Sequence, residues 1–116
     1  MRDLALGAAG VLAILVAIAH GIIIELQVFA KARIEPQRMR NVLRGVSQAS
    51  TVDWIGMGGL LIAAPAFGSQ SARQWVVAVA VVAFGYAAVG NAVVTRGRHP
   101  GSWLMGVAVA MALMGL

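Results

Sequence analysis

From Leu4 to Phe29 the chain is apolar with hardly a break, and that run constrains everything else it can do. A helix needs about 20 such residues to cross about 30 Å of hydrocarbon. Runs of the same character cover 46–67, 75–94 and 102–116. The last is short, about 22 Å long as a helix. It counts as a span because nothing in it is polar after Ser102 and Trp103. Only 11% of the residues are charged, against about 25% in an ordinary soluble domain. With 60% hydrophobic residues and a mean hydropathy of +0.86, the bilayer is the natural solvent. The expected fold class is all-α: an integral membrane four-helix bundle, one transmembrane domain over 1–116, with spans at about 4–29, 46–67, 75–94 and 102–116.

The connections set a direction. Lys31, Arg33, Arg38, Arg40 and Arg44 lie between the first two spans, and Arg96 and Arg98 between the last two. The opposite side holds only Arg2 and Arg73. Positive residues stay on the cytoplasmic side, so the basic first loop and the third loop are expected there and both termini in the periplasm. Trp75 and Trp103 fall at expected interfaces, where indoles prefer to lie. The bias toward Ala, Gly, Val and Arg suggests a GC-rich bacterial genome, hence a multi-pass protein of the bacterial inner membrane. Ala17-Ile18-Ala19 also fits a signal-peptide cleavage site. However, the apolar run continues through Ile22-Ile23-Ile24 to Phe29 and Asp3 offsets Arg2, so an uncleaved span is expected.

The net charge of +5 does not point to nucleic acid, because the basic residues flank apolar spans. There they act as topology signals and as contacts for anionic lipid headgroups. Arg38, Arg40, Arg44, Arg96, Arg98 and His99 are the expected headgroup contacts. Pro36 suits the first position of a helix, so the second helix should begin near it, before the membrane.

Into this apolar background the stretch Ala17–Gln27 brings a histidine, a carboxylate and an amide. At about 1.5 Å of rise per residue, His20, Asp53 and Asn91 each lie about 21–24 Å from the opposite end of their spans, in one layer. Glu25 falls nearer the boundary, and Gln48, Ser47, Ser50 and Thr51 line the same region. Ala13, Ala17 and Gly21, spaced by four, form a small-residue packing ridge whose next member is Glu25. Ala83 and Ala87 lead likewise to Asn91 on the third span. In the second, Ser47, Thr51, Trp54 and Gly58 form a stripe, with Asp53 off it. Ionisable groups at such depth are expensive and mark function by default. His20, Glu25, Asp53, Asn91, Gln48 and Tyr86 are therefore the candidate ligand- or proton-binding residues. Plainer roles stand beside these: Glu25 reaching the headgroups or pairing with Lys31 or a loop arginine, Asp53 bridging to Arg44 or capping local backbone, His20 joining Asp53 or Asn91 as interhelical glue, and Asn91 and Tyr86 serving as glue themselves.

Several chemistries are excluded. There are no cysteines, and no HExxH, GxSxG or Walker loop occurs. No catalytic residue, metal or cofactor is expected. A haem needs a second axial histidine, and His99 is assigned to a turn outside the bundle.

Ala19-His20-Gly21-Ile22-Ile23-Ile24-Glu25, then Leu43-Arg44, then Gly97-Arg98-His99-Pro100 before Trp103, resemble a family of small uncharacterised bacterial four-helix membrane proteins. The His-x-x-x-x-Glu of the first span and the Gly-Arg-His turn recur in that family. Many relatives have a Gly before the Glu and a His early in the second span, where this chain has Ile24 and Gln48. The resemblance implies a fold and no activity.

Three functions compete. One is binding or transport of a small molecule or ion by a homo-oligomer. A second is a non-enzymatic accessory or assembly subunit of a larger membrane complex. The last is a lipid- or quinone-modifying membrane enzyme, disfavoured because no nucleophile or metal motif is present.

The topology is directly testable because the chain is free of cysteine. Arg38→Cys and Arg98→Cys should react with an impermeant maleimide only in inside-out vesicles. Ser69→Cys should react only from the outer face. The reverse pattern would refute the assigned direction.

Overall fold

The computed structural model describes all 116 residues. Four helices make up nearly the whole chain, with no strand. Helix α1 spans Arg2–Ile23 and continues into a π-helical turn, Ile24–Phe29. Helix α2 covers Gln37–Ala63 and tightens into a 3-10 turn at Ala64–Phe67. Helix α3 runs from Gln70 to Thr95 and α4 from Pro100 to Met114. Three of these, Arg2–Phe29, Gln37–Phe67 and Gln70–Thr95, are long and apolar enough to cross a membrane. Helix α4 is apolar but shorter.

The boundaries follow local chemistry. Pro36 precedes α2 as its N-cap residue with extended ψ, one position earlier than the sequence suggests. Helix α3 starts five residues before Trp75, because the Ser69 hydroxyl accepts the Ala72 N–H at 3.1 Å and caps it. At its other end Arg96 and Gly97 take positive φ, 54° and 76°, and turn the chain toward α4. Pro100 opens α4, where its missing N–H costs nothing.

Helix α1 packs along both α2 and α4, α3 packs on α4, and α2 meets α3 only sparingly. The shared core draws on all four helices: Leu6, Ala9, Ala13 and Val16 from α1, Leu61 from α2, Val77, Ala80, Phe84 and Ala88 from α3, and Met105, Ala108 and Ala112 from α4. Small side chains dominate it, while Leu4, Val11, Leu15, Ile18 and Ile22 of α1 point outward. Such an inside-out arrangement suits lipid. Helices there gain nothing from hiding large aliphatics and associate through small residues that let backbones approach.

The closest approach is at Gly10 and Gly58. A Cβ on Gly58 would lie 2.7 Å from the Gly10 carbonyl oxygen and 2.7 Å from Ile14 Cγ1. A Cβ on Gly10 would collide with the Gly58 carbonyl in return. Further along the same seam, a Cβ on Gly21 would sit 3.0 Å from Thr51 Cγ2. The expected ridge of Ala13, Ala17 and Gly21 is buried against its neighbours. The expected ridge on α3 is displaced: the buried stripe is Arg73, Val77, Ala80, Phe84 and Ala88, and Ala83, Ala87 and Asn91 lie at its edge. The larger Phe84 and Val77 carry the core contact there, so small residues alone do not mark the inner face.

Arg73 closes the far end. It is 8% exposed. Its Nε donates to the Gly115 carbonyl at 2.7 Å and its Nη1 to Asp3 Oδ1 at 2.5 Å. One arginine thus ties the first turn of α3 to the start of α1 and the end of α4. The sequence marks Arg73 only as a flanking charge. Nothing local distinguishes it, because both partners are remote in the chain.

Gly58→Ala should lower the unfolding free energy by about 1–3 kcal/mol through overpacking. Gly59→Ala, where an added Cβ meets nothing within 4 Å, should not. Equilibrium unfolding in detergent micelles compares the two, and equal responses would refute the backbone crossing.

Candidate functional site

Two polar groupings lie at the arginine-rich end of the bundle. The first sits on the seam between α1 and α2. The π turn carries Glu25, whose Oε2 lies 2.6 Å from Arg44 Nη2, while its Oε1 accepts Arg44 Nε at 2.9 Å. Gln48 Nε2 donates to the same Oε1 at 2.9 Å and to the Gly21 carbonyl at 3.1 Å. Arg44 and Gln48 are four apart on α2, so both reach one carboxylate. A two-toothed guanidinium grip with an amide beside it fixes Glu25 firmly. Of the roles open to Glu25, the plainer one, pairing with a loop arginine, is what the geometry contains.

The second grouping is a half-enclosed pocket of about 380 Å³. Val16, Ala19, His20, Ile23 and Ile24 of α1 form one wall, and Trp54 of α2 and Asn91 of α3 contribute one side chain each. His99, Pro100, Gly101, Leu104 and Met105 close the remaining side. The His20 and Trp54 rings have centroids 4.9 Å apart and planes inclined by 54°. Nε2 of His20 is shut off from solvent and has no hydrogen-bond partner. Asn91 does not reach it, because Asn91 Nδ2 donates to the Ala87 carbonyl of its own helix at 2.8 Å. His20 is therefore not the interhelical glue that joins Asp53 or Asn91.

His99 stands beside the second grouping, at the mouth of the pocket. It lies in the turn, as expected, but its ring folds over Gly101, where an added Cβ would meet Cε1 at 2.6 Å. It stays exposed and also lines the same pocket as His20. The turn is held by Trp103 Nε1, which donates to the Gly97 carbonyl at 2.8 Å, and by the Thr95 hydroxyl, which accepts the His99 N–H at 3.2 Å.

Asp53 shares a depth with His20 but not a direction. It is exposed on α2 and lines neither grouping. Trp54, one residue and about 100° further round, takes the inward position. Arg44 is nine residues away on the same helix, about 13 Å along the axis, which rules out an Asp53–Arg44 bridge. Tyr86 is 84% exposed and also points outward. Arg40 turns inward: it donates to the Phe29 carbonyl, and its guanidinium lies 5.7 Å from the Phe29 ring centre. Arg38, Arg96 and Arg98 remain exposed. No group of three or more His, Asp or Glu side chains gathers to hold a metal ion.

The sequence overlooks Trp54 as a site residue, although its place on the inward stripe beside Thr51 and Gly58 was the available signal. No known family model, curated protein or solved structure matches the chain. The functional reading rests on the chain's own geometry.

The two carboxylates should separate cleanly. Glu25→Gln loses the charge that Arg44 grips and should lower the thermal midpoint in detergent. Asp53→Asn, with no partner, should leave it unchanged. The opposite ranking would refute the roles assigned to the pair.

Proposed function

We propose that this is a small multi-pass protein of the bacterial inner membrane that binds a small amphipathic molecule taken from the lipid leaflet. The binding site is the His20–Trp54–Asn91–His99 pocket, at the end carrying the basic loops and so on the cytoplasmic side. One observation carries the reading: a half-open cavity is lined by His20, whose buried Nε2 has no hydrogen-bond partner. A buried polar atom without a partner costs about 1–3 kcal/mol. A ligand with one hydrogen-bonding group would remove that cost once the imidazole turns Nε2 toward the cavity. The other walls, Val16, Ile23, Ile24, Leu104 and Met105, suit an apolar body. Small-molecule sites combine these ingredients: mostly apolar lining with a few placed polar groups.

Binding is better supported than passage through the bundle. Asn91 stands two turns from Phe84, and there the interior is filled by Phe84, Leu61 and Val77, all essentially inaccessible. All four helices of one chain line the pocket, so a homo-oligomer is not needed to complete it. The exposed arginines 38, 96 and 98 would hold this end against anionic headgroups.

Native mass spectrometry from nanodiscs tests the reading. Protein loaded from native lipid extract should carry a discrete added mass. Ala19→Phe, which fills the pocket from α1, should lose it. An adduct kept by both proteins, or a wild type that stays bare after loading, would overturn the proposal.

A further inference from the structure

The geometry points to a flat, oxygen-bearing ring of the quinone or quinol class as the ligand of this pocket. The inference rests on the pocket being a binding site and adds what that site selects. Three features narrow the choice. First, at about 380 Å³ the cavity is at the small end of ligand sites, which run about 300–1,000 Å³. It accepts a ring headgroup but not the bulk of a two-chain lipid. Any tail must leave through the open side toward the bilayer, past Ala19, Ile23 and Leu104, which are exposed at its rim.

Second, aromatic surfaces bound the space. The indole of Trp54 and the imidazole of His20 form an angled pair on the α1–α2 side. His99, lying over Gly101, supplies an imidazole from the α3–α4 turn. Ring faces and edges favour a flat conjugated partner in offset or edge-on contact over a flexible acyl chain.

Third, the polar atoms come from separate elements. His20 is on α1, Asn91 on α3 and His99 before α4, so hydrogen bonds can reach more than one edge of a ring. Nε2 of His20 is buried and has no competing partner, so a modest turn of the ring brings it to a ligand, to which it donates when it carries the ring proton. Asn91 is oriented by its bond to the Ala87 carbonyl, which uses one of two amide N–H groups and leaves the second, and Oδ1, for a ligand. A quinone oxygen accepts from such groups. A quinol hydroxyl can instead donate to the Asn91 oxygen. No carboxylate lines the pocket, so a cationic ligand finds no counter-charge there.

The test uses the full-length protein in phosphatidylcholine nanodiscs. Probes are menadione, which has no tail, and a benzoquinone carrying a decyl chain; each quenches indole fluorescence on contact. Wild type should show saturable quenching on top of the linear background of the membrane. Trp54→Phe should retain only the linear part. His20→Leu, checked for unchanged helical content, should bind about tenfold more weakly, the loss of roughly one hydrogen bond. Asp53→Asn should match wild type. Linear quenching alone, or saturation unaltered by His20→Leu, would overturn the inference. Decyl alcohol, followed by native mass spectrometry, separates the two levels. If Ala19→Phe abolishes its binding while quinones show no saturable quenching, the pocket is a binding site and the ring specificity is wrong. If neither binds, both readings fall.

Discussion

The structure depends on how closely α1 and α2 approach. In hydrocarbon, a helix pair gains little from burying large aliphatics, so contact has to come from backbones that can touch. Gly10 and Gly58 permit this at one level and Gly21 against Thr51 at another. Once the two helices are so close, Glu25 falls within reach of Arg44 and Gln48, and His20 lies against Trp54. The polar features of the arginine-rich end follow from a packing constraint set by residues with no polar side chain at all.

The other helices complete the bundle differently. Helix α4 lies against α1 through Met105, Ala108 and Ala112, and α3 presses Phe84 and Val77 into the shared core. Past Asn91, α3 continues only to Thr95 before the chain turns, whereas α1 and its π turn run from His20 to Phe29. The α1–α2 hairpin therefore overhangs the α3–α4 turn by about 7 Å. The pocket lies near this level, with His99, Pro100 and Gly101 of the turn among its lining residues. At the opposite end Arg73 draws three helices together.

Much of the fold was legible because it follows from one-dimensional facts. The apolar runs give the helices, Pro36 places the start of α2 to within one residue, and Ala13, Ala17 and Gly21 give the inner face of α1, whereas the Ser69 cap and the Pro100 start were not read. The site was legible only in part. Depth follows from counting residues, and His20 and Asn91, counted to one level, line the same pocket. Direction needs the neighbour as well, and there the sequence misplaced Asp53 and left Trp54 out. His99 shows a further limit. A turn residue looks solvent-facing in sequence, and His99 is exposed, yet its ring also lies over Gly101 and borders the pocket. Arg73 was beyond reach for a different reason: its partners, Asp3 and Gly115, are joined to it by folding alone.

The π turn from Ile24 to Phe29 bears on how this chain tolerates changes of length. Its hydrogen bonds span five residues, as in Ala30 N–H to the Glu25 carbonyl at 2.9 Å. Such a segment holds one residue more than an α-helix needs for the same closure. Loss of one residue there could be absorbed by reverting to ordinary α geometry, leaving the seam below in phase. The same loss beside Ala13 would rotate every residue on one side of it by about 100° and turn the alanine ridge away from the bundle. Insertions and deletions among natural variants should therefore gather between the pocket and the first loop and avoid the alanine-lined half of the helix.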